Sequence, residues 1–124
     1  MKTILEPAGK NTPEIAFDDQ AKIFYIEGIS TPVSAFEFYQ KIIDWINLNE
    51  SSIPEGTVFT FNLPYFNSAS MKALLMFLER IKKGIDMQKG WIIEWFIEAD
   101  DEFMQDAAES FQSILEMKFS IKNE

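Results

Sequence analysis

The first part of the chain alternates short apolar runs with polar residues in a way that predicts a β-hairpin. Residues 14–17 and 22–27 are two apolar runs separated by the polar turn at residues 18–20. Runs of this length, joined by a short polar turn, are typical of two antiparallel strands. The residues before 14 contain two prolines and a glycine, and we expect that segment to be irregular.

Three longer segments carry apolar residues at intervals of three and four, which predicts amphipathic helices. The predicted helices cover residues 34–47, residues 68–83 and a segment that opens at residue 100. In the first helix we expect Phe36 to widen the buried stripe, and in the third we expect Ile114 to belong to that stripe.

The segments between the helices are predicted to be strands of one sheet. Residues 57–63 alternate in character, and residues 117–121 form a last short strand. Residues 91–97 are almost continuously apolar, which favours a central strand that is buried on both faces. Strands and helices that alternate after a hairpin predict an α/β fold: a mixed β-sheet with an N-terminal hairpin and three helices, joined by right-handed crossovers.

The length and composition are those of one soluble domain. The chain has 124 residues, of which 47% are hydrophobic, and we therefore expect a single domain over residues 1–124. No apolar run of about 18 residues is present to span a bilayer. The apolar run at the N-terminus is too short for a secretory signal, because the acidic Glu6 already follows Leu5. We therefore expect a cytoplasmic protein.

The sequence contains neither cysteine nor histidine, and this removes most of the usual catalytic side chains. A thiolate nucleophile, a Ser-His-Asp triad and a standard zinc site all need one of these residues. The formal net charge of −9 repels nucleic acids and anionic membranes, so we expect neither as a partner. We expect a protein that is not an enzyme and that holds no metal or cofactor.

Two alternatives remain beside a switched binding protein. Asp100, Asp101 and Glu102 can contribute to a Mg²⁺ site in a small hydrolase or transferase. Acidic residues are also what the dipole at a helix start favours, and we prefer this capping interpretation. The other alternative is a constitutive interaction module in which no hydroxyl is modified.

The connection between the strand ending near residue 63 and the second helix carries a candidate switch. Asn67, Ser68 and Ser70 stand at the predicted helix start, and Lys72 lies one turn after Ser68. Asn67 or Ser68 can cap the helix, because a side-chain oxygen there accepts a backbone N–H. Ser68 can instead carry a phosphate, because free amides and the helix dipole favour an anion at this position. The spacing alone leaves both interpretations open.

Four short blocks of sequence, in their order and spacing, carry a family resemblance. They are Thr12-Pro13-Glu14, Phe36-Glu37-Phe38-Tyr39 followed by Trp45, Tyr65-Phe66-Asn67-Ser68-Ala69-Ser70-Met71-Lys72, and Trp95 with Asp100-Asp101-Glu102. With these blocks the chain resembles the SiaC family of bacterial regulatory phosphoproteins. The resemblance implies a STAS-like fold, of the class of anti-sigma-factor antagonists, in which a hydroxyl at the start of a helix is reversibly phosphorylated.

In this sequence the resemblance places the phosphorylation on Ser68, with Ser70 as the alternative acceptor. It implies three partners: a dedicated protein kinase, a metal-dependent Ser/Thr protein phosphatase, and a diguanylate cyclase that the unphosphorylated form binds and activates. The acceptor is a serine where family members commonly carry threonine. We expect a partner-binding and switch surface around it, formed by Tyr65, Phe66, Asn67, Lys72 and Met76.

Overall fold

A computed structural model describes residues 2–123, which form six strands, three α-helices and one short 3₁₀ turn at Glu50–Ser52. The strands are β1 (Lys2–Glu6), β2 (Glu14–Asp18), β3 (Ile23–Glu27), β4 (Val58–Asn62), β5 (Ile92–Ile97) and β6 (Ser120–Asn123). The helices are α1 (Ala35–Asn49), α2 (Ser68–Asp86) and α3 (Glu102–Leu115). Among these described residues, no helix is long and apolar enough to cross a lipid bilayer.

The strands form one sheet in which neighbours along the chain are also neighbours in space, from β1 to β6. The pairs β1-β2 and β2-β3 are antiparallel, whereas β3, β4, β5 and β6 run parallel. Each helix connects two successive parallel strands. The structure therefore confirms the predicted α/β fold, with a mixed sheet, an N-terminal hairpin and three helices. The STAS-like relationship stays a prediction.

Strand β1 corrects the expectation that the N-terminal residues are irregular. It pairs with β2, and Ile4 lies opposite Ala16. The strand ends at Glu6, directly before Pro7, whose nitrogen has no hydrogen to donate to a β-ladder. The prolines and the glycine therefore interrupt regular structure only over residues 7–13.

The helices cover one face of the sheet. In β4, Phe59 and Phe61 are fully buried, while the residues that alternate with them are partly exposed. Phe77 of α2 lies over this inner face, with 5.7 Å between its ring centroid and that of Phe61. Phe111 of α3 lies 5.7 Å from the Trp95 ring of β5. Alternate residues of the central strands therefore enter the core, and the others face away from the helices.

The sequence predicted a central strand over residues 91–97 that is buried on both faces, and the structure shows that β5 is neither central nor buried on both faces. Ile93, Trp95 and Ile97 are buried, but Ile92 is 49% exposed. The strand lies second from the edge of the sheet, beside β6. Because the helices lie on one face, no second layer covers the other, and the continuous apolar run reflects one buried set and one partly exposed set of side chains.

Two residues that were assigned to buried helix faces lie at the surface instead. Phe36 of α1 is 57% exposed, and Ile114 of α3 is 61% exposed. A helix turns by about 100° per residue, which places each of them about a quarter turn from the centre of its buried stripe. At that angle the side chain points along the surface and not into the core.

Candidate functional site

The carboxyl ends of the parallel strands and the starts of the helices lie on the same side of the sheet. We call this side the carboxyl edge, or simply the edge, as distinct from the outermost strands β1 and β6. Two connections run side by side there, because Ser30, after β3, forms a β-bridge with Phe66, after β4. The Ser30 N–H also donates to the Tyr65 carbonyl at 3.0 Å. This is the edge at which α/β proteins usually bind their ligands. The connection between β4 and α2, with Asn67, Ser68 and Ser70, lies on it, and we call this connection the switch segment.

Asn67, and not Ser68, caps α2. The Asn67 Oδ1 accepts a hydrogen bond from the Ser70 N–H at 3.0 Å, and the Asn67 carbonyl accepts one from Met71 N–H at 3.0 Å. Ser68 is the first residue of the helix, and its side chain is exposed. Within residues 2–123, its hydroxyl has no hydrogen-bond partner. Because Asn67 supplies the cap, the Ser68 hydroxyl is available for another role.

Ser70 lies only two residues further along, but its hydroxyl is enclosed. The residue is 0% exposed. Its Oγ donates to the Ser30 carbonyl at 2.9 Å and accepts from the Ser30 Oγ at 3.0 Å. A kinase must bring the acceptor hydroxyl into its own active site, and this burial prevents such an approach. In the folded protein the Ser70 hydroxyl is inaccessible, which favours Ser68 over the alternative acceptor Ser70.

Ser68 lines an open groove between the first turns of α1 and α2. One wall is formed by Ser34, Ala35 and Phe36, and the other by Ser68, Ala69, Lys72, Ala73 and Met76. Phe36 is 57% exposed and Met76 is 40% exposed. The groove therefore offers an apolar side chain on each wall, as many protein-binding surfaces do. Met76 and Lys72 lie on the outer side of α2, as predicted.

A second exposed apolar area lies at the same edge, between the loop before α2 and the start of α3. Tyr65 is 50% exposed and Phe103 is 52% exposed, and their ring centroids are 6.4 Å apart. Phe66 is different: it is 0% exposed, and its ring lies 6.2 Å from that of Phe111. This corrects one predicted surface residue, because the Phe66 side chain belongs to the core.

The charges around Ser68 favour an added anion. The first turn of α2 contains no acidic residue, so no carboxylate of that turn compensates the positive end of the helix dipole. Lys72 is exposed, and in the described part of the chain it forms no ion pair. It follows Ser68 by four residues and therefore lies on the same side of the helix. A phosphate on Ser68 would meet free N–H groups and an available ammonium group.

The acidic residues at the start of α3 cap that helix. The Asp101 Oδ1 accepts a hydrogen bond from the Met104 N–H at 3.0 Å, and Glu102 stands in the first turn. Over residues 2–123, no group of three or more carboxylates is placed to hold a metal ion. The hydrogen bond agrees with the capping interpretation and gives these residues a structural role.

Phe36 and Phe103 are two exposed aromatic residues of this edge that the sequence interpretation missed. Each is the second residue of its helix, two positions after the capping residue. Each also lies about a quarter turn from the buried stripe of its helix. A projection of each helix that starts at its cap would have revealed both residues, because an apolar side chain so far from the stripe is exposed.

Comparison with known proteins adds a family and a fold. The sequence model described as SiaC family regulatory phosphoprotein matches residues 7–124. An uncharacterized protein of Pseudomonas aeruginosa strain UCBPP-PA14 is 24% identical over 116 residues, which cover 94% of this chain and 92% of that protein.

Solved structures with a similar fold include two from Pseudomonas aeruginosa. The crystal structure of apo-SiaC has a TM-score of 0.80 and 24% identity, over 97% of this chain and 98% of that chain. The crystal structure of the diguanylate cyclase SiaD in complex with its activator SiaC has a TM-score of 0.79 and 24% identity, over 96% of this chain and 98% of that chain. The likeness shows the shared fold.

Proposed function

Because the chain belongs to the SiaC family of regulatory phosphoproteins, we propose that it binds and activates a diguanylate cyclase and that phosphorylation of Ser68 prevents this binding. Membership of the family confirms the resemblance expected from the sequence. It also makes the chain a regulatory protein and not an enzyme. The SiaC of Pseudomonas aeruginosa is the activator of the diguanylate cyclase SiaD in their crystallised complex, which supports the choice of partner class.

One observation carries the proposal: Ser68 is an exposed hydroxyl on the wall of an apolar groove, while Asn67 caps the helix. A hydroxyl without a structural role can gain and lose a phosphate while the fold stays intact. Its place on the groove wall means that the added group enters the surface that a partner would contact.

The unmodified groove is suited to a partner with an apolar contact face. Phe36 and Met76 present apolar side chains on its two walls, and Tyr65 extends the apolar area along the same edge. Exposed aromatic side chains are enriched at the residues that dominate binding energy in protein interfaces. Asn67 fixes the start of α2 and therefore the position of Ser68. The proposed partner-binding surface is the one expected from the sequence, except that the exposed Phe36 replaces the buried Phe66.

Phosphorylation would oppose binding through solvation. A phosphoserine carries about −1.5 to −2 charges near neutral pH, and placing it against an apolar partner removes its water without an equal replacement. The cost of burying a charge in this way is several kcal/mol, which lowers affinity by orders of magnitude. In the free protein, Lys72 and the start of α2 would hold the phosphate while it stays in contact with water.

The proposal includes the other parts expected from the sequence. A dedicated protein kinase would add the phosphate, a metal-dependent Ser/Thr protein phosphatase would remove it, and the exchange would take place in the cytoplasm. The whole of residues 1–124 would act as one regulatory domain. The net charge of −9 would repel nucleic acids, so the partners would be proteins.

The proposal is tested by titrating each diguanylate cyclase of the source organism with four forms of the protein: unmodified, phosphorylated on Ser68, Ser68→Ala and Ser68→Asp. We expect one cyclase to bind the unmodified and alanine forms and to produce cyclic di-GMP faster in their presence. Phosphorylation should weaken this binding at least about a hundredfold, which corresponds to about 2.7 kcal/mol. Ser68→Asp should weaken it less, because it adds a smaller charge.

Ser110→Asp is the matched control, because Ser110 is an exposed serine on α3 that does not line the groove. It adds the same charge as Ser68→Asp, and we expect it to leave binding unchanged. Equal binding by all forms of Ser68 would indicate the alternative of a constitutive interaction module. If no cyclase binds the unmodified protein, the partner class is wrong.

A further inference from the structure

Three buried hydroxyl groups connect the loop after β3 with the two helices that form the walls of the groove. Ser30 follows β3, Tyr39 stands in α1 and Ser70 stands in α2. The Ser30 Oγ lies 2.6 Å from the Tyr39 hydroxyl and 3.0 Å from the Ser70 Oγ. All three residues are at most 1% exposed. We call this group the hydroxyl cluster.

The hydrogen bonds of the cluster form a chain with one direction. The Ser70 Oγ donates to the Ser30 carbonyl, so the Ser70 oxygen accepts the hydrogen of the Ser30 Oγ. The Tyr39 hydroxyl then donates to the Ser30 Oγ. Burial raises the pKa of the Tyr39 hydroxyl well above its ordinary value, which keeps that hydrogen in place. Each hydroxyl hydrogen therefore has an acceptor inside the protein.

Ser30 also fixes the backbone of the switch segment. Its N–H donates to the Tyr65 carbonyl at 3.0 Å, and its carbonyl accepts from the Asn67 N–H at 3.4 Å in addition to the Ser70 hydroxyl. Asn67 is the cap of α2 and directly precedes Ser68. Ser30, a single residue in the loop after β3, thus holds both the segment before Ser68 and the helix turn that follows it.

The same cluster joins the two walls of the groove. Tyr39 follows Phe36 by three residues on α1, and Ser70 follows Ser68 by two residues on α2. Hydrogen bonds between buried side chains are directional, so they fix the distance and rotation of the two helix starts more closely than apolar packing does. This connection links the helix that carries Phe36 with the helix that carries Ser68.

We propose that Ser30, Tyr39 and Ser70 are positioning residues, which hold the starts of α1 and α2 in the relative placement that a partner recognises. This inference rests on the proposed function for the identity of the partner, but the positioning itself belongs to the free protein. None of the three side chains is accessible, so none of them contacts the partner. Their removal should therefore weaken binding without the loss of any interface contact.

The test compares Tyr39→Phe, Ser70→Ala and the double variant Ser30→Ala/Tyr39→Phe with Thr57→Val. Thr57 is also 0% exposed, and its hydroxyl donates to the Pro54 carbonyl at 2.8 Å. It lies at the amino end of β4, at the opposite edge of the sheet from Ser68. Thr57→Val is therefore a matched control, because it also removes one buried hydroxyl. The double variant removes the hydroxyl that Ser30→Ala alone would leave without a partner.

Two readouts are taken well below the melting temperature of every variant. The first is the hydrogen-exchange rate of the backbone amides at residues 66–71 in the free protein. We expect it to rise at least about tenfold in the three cluster variants and to stay unchanged in Thr57→Val. The second is affinity for the cyclase that binds the unmodified protein, which we expect to fall at least about fivefold in the cluster variants alone.

The two readouts separate this inference from the proposed function. If no cyclase binds, the proposed function fails, and hydrogen exchange still decides whether the cluster holds the start of α2. Unchanged exchange at residues 66–71 in all cluster variants would overturn the inference. So would a loss of affinity in Thr57→Val equal to that in the cluster variants, because that result would indicate a general effect of reduced stability.

Discussion

Ser68 and Ser70 are separated by a single residue in α2, but they belong to two regions of the molecule with opposite properties. The region of Ser68 is the exposed groove, where its hydroxyl has no partner among the described residues. The region of Ser70 is the buried hydroxyl cluster, where its oxygen makes two hydrogen bonds. Two residues correspond to about 200° around a helix, and this rotation separates solvent from core.

The difference shows how one helix turn can combine a variable position with a fixed one. A side chain that contributes little to the fold can change its charge without a change in structure. A side chain enclosed by hydrogen bonds keeps the neighbouring backbone in place. The proposed switch needs both, because a phosphate alters binding sharply only where the surrounding surface is held in one geometry.

The largest difference that we expect between Ser68 and Ser70 is in the free energy of unfolding when each is replaced by aspartate. In Ser70→Asp a carboxylate is buried without a cationic partner, and we expect the free energy of unfolding to fall by about 3–5 kcal/mol. In Ser68→Asp the carboxylate is exposed at the start of a helix, and we expect a change of no more than about 0.5 kcal/mol, in the stabilising direction. Urea unfolding followed by circular dichroism measures both. Equal destabilisation by the two variants would contradict the assigned exposures.

Truncation of the groove wall should affect binding and leave the fold unchanged. We expect Phe36→Ala to weaken binding of the cyclase about tenfold, or about 1.4 kcal/mol, because it removes an exposed aromatic side chain from the contact surface. Leu48→Ala is the control, since Leu48 is 85% exposed near the far end of the same helix. Isothermal titration measures the two affinities. An unchanged affinity in Phe36→Ala would place the contact surface elsewhere.

The Tyr39 hydroxyl should make stability sensitive to alkaline pH. Burial raises its pKa in the folded state, so its contribution to stability is complete below the ordinary tyrosine pKa of about 10. Above that pH the unfolded chain loses the proton while the folded protein keeps it, and stability falls as pH rises. We expect this slope to be about 1 kcal/mol per pH unit steeper in the unmodified protein than in Tyr39→Phe.

Denaturant unfolding at several values between pH 9 and pH 11 measures that slope. Tyr25, whose pKa is also raised by burial, is present in both proteins, so its effect cancels in the comparison. Identical slopes would mean that the Tyr39 hydroxyl is not enclosed.

Because Asn67 caps α2, it should contribute more to the free energy of unfolding than Ser68 does, by a smaller amount than in the comparisons above. We expect Asn67→Ala to lower the free energy of unfolding by about 1 kcal/mol, because the Ser70 N–H loses its acceptor. Ser68→Ala should change it by no more than about 0.5 kcal/mol. Thermal unfolding of the two variants under the same conditions measures the difference. A larger loss in Ser68→Ala would transfer the capping role to Ser68.

The element order and the switch segment could be predicted from the sequence, because both depend on local patterns. Apolar spacing gave every helix and five of the strands, and the turn between residues 63 and 68 marked the start of α2. Strand β1 was missed because its pairing with β2 is a tertiary contact, and the nearby prolines dominated the local signal.

The details of the site depend on tertiary contacts that no spacing rule contains. The choice between Ser68 and Ser70 required the position of Ser30, which is 40 residues before Ser70 in the chain. The burial of Phe66 depends on Phe111 of α3. The sequence interpretation placed Phe36 in a buried helix stripe and Phe66 on the partner-binding surface, and the structure reverses both assignments.

The central claim is that Ser68 is the acceptor of a reversible phosphate. Intact-mass and peptide mass spectrometry of the protein purified from its native cell test this claim most directly, with the proteins carrying Ser68→Ala and Ser70→Ala as site controls. We expect one phosphate on Ser68 in part of the population, still present in Ser70→Ala and absent from Ser68→Ala. Phosphate on Ser70, or a Ser68 that stays unmodified under every growth condition, would contradict the account.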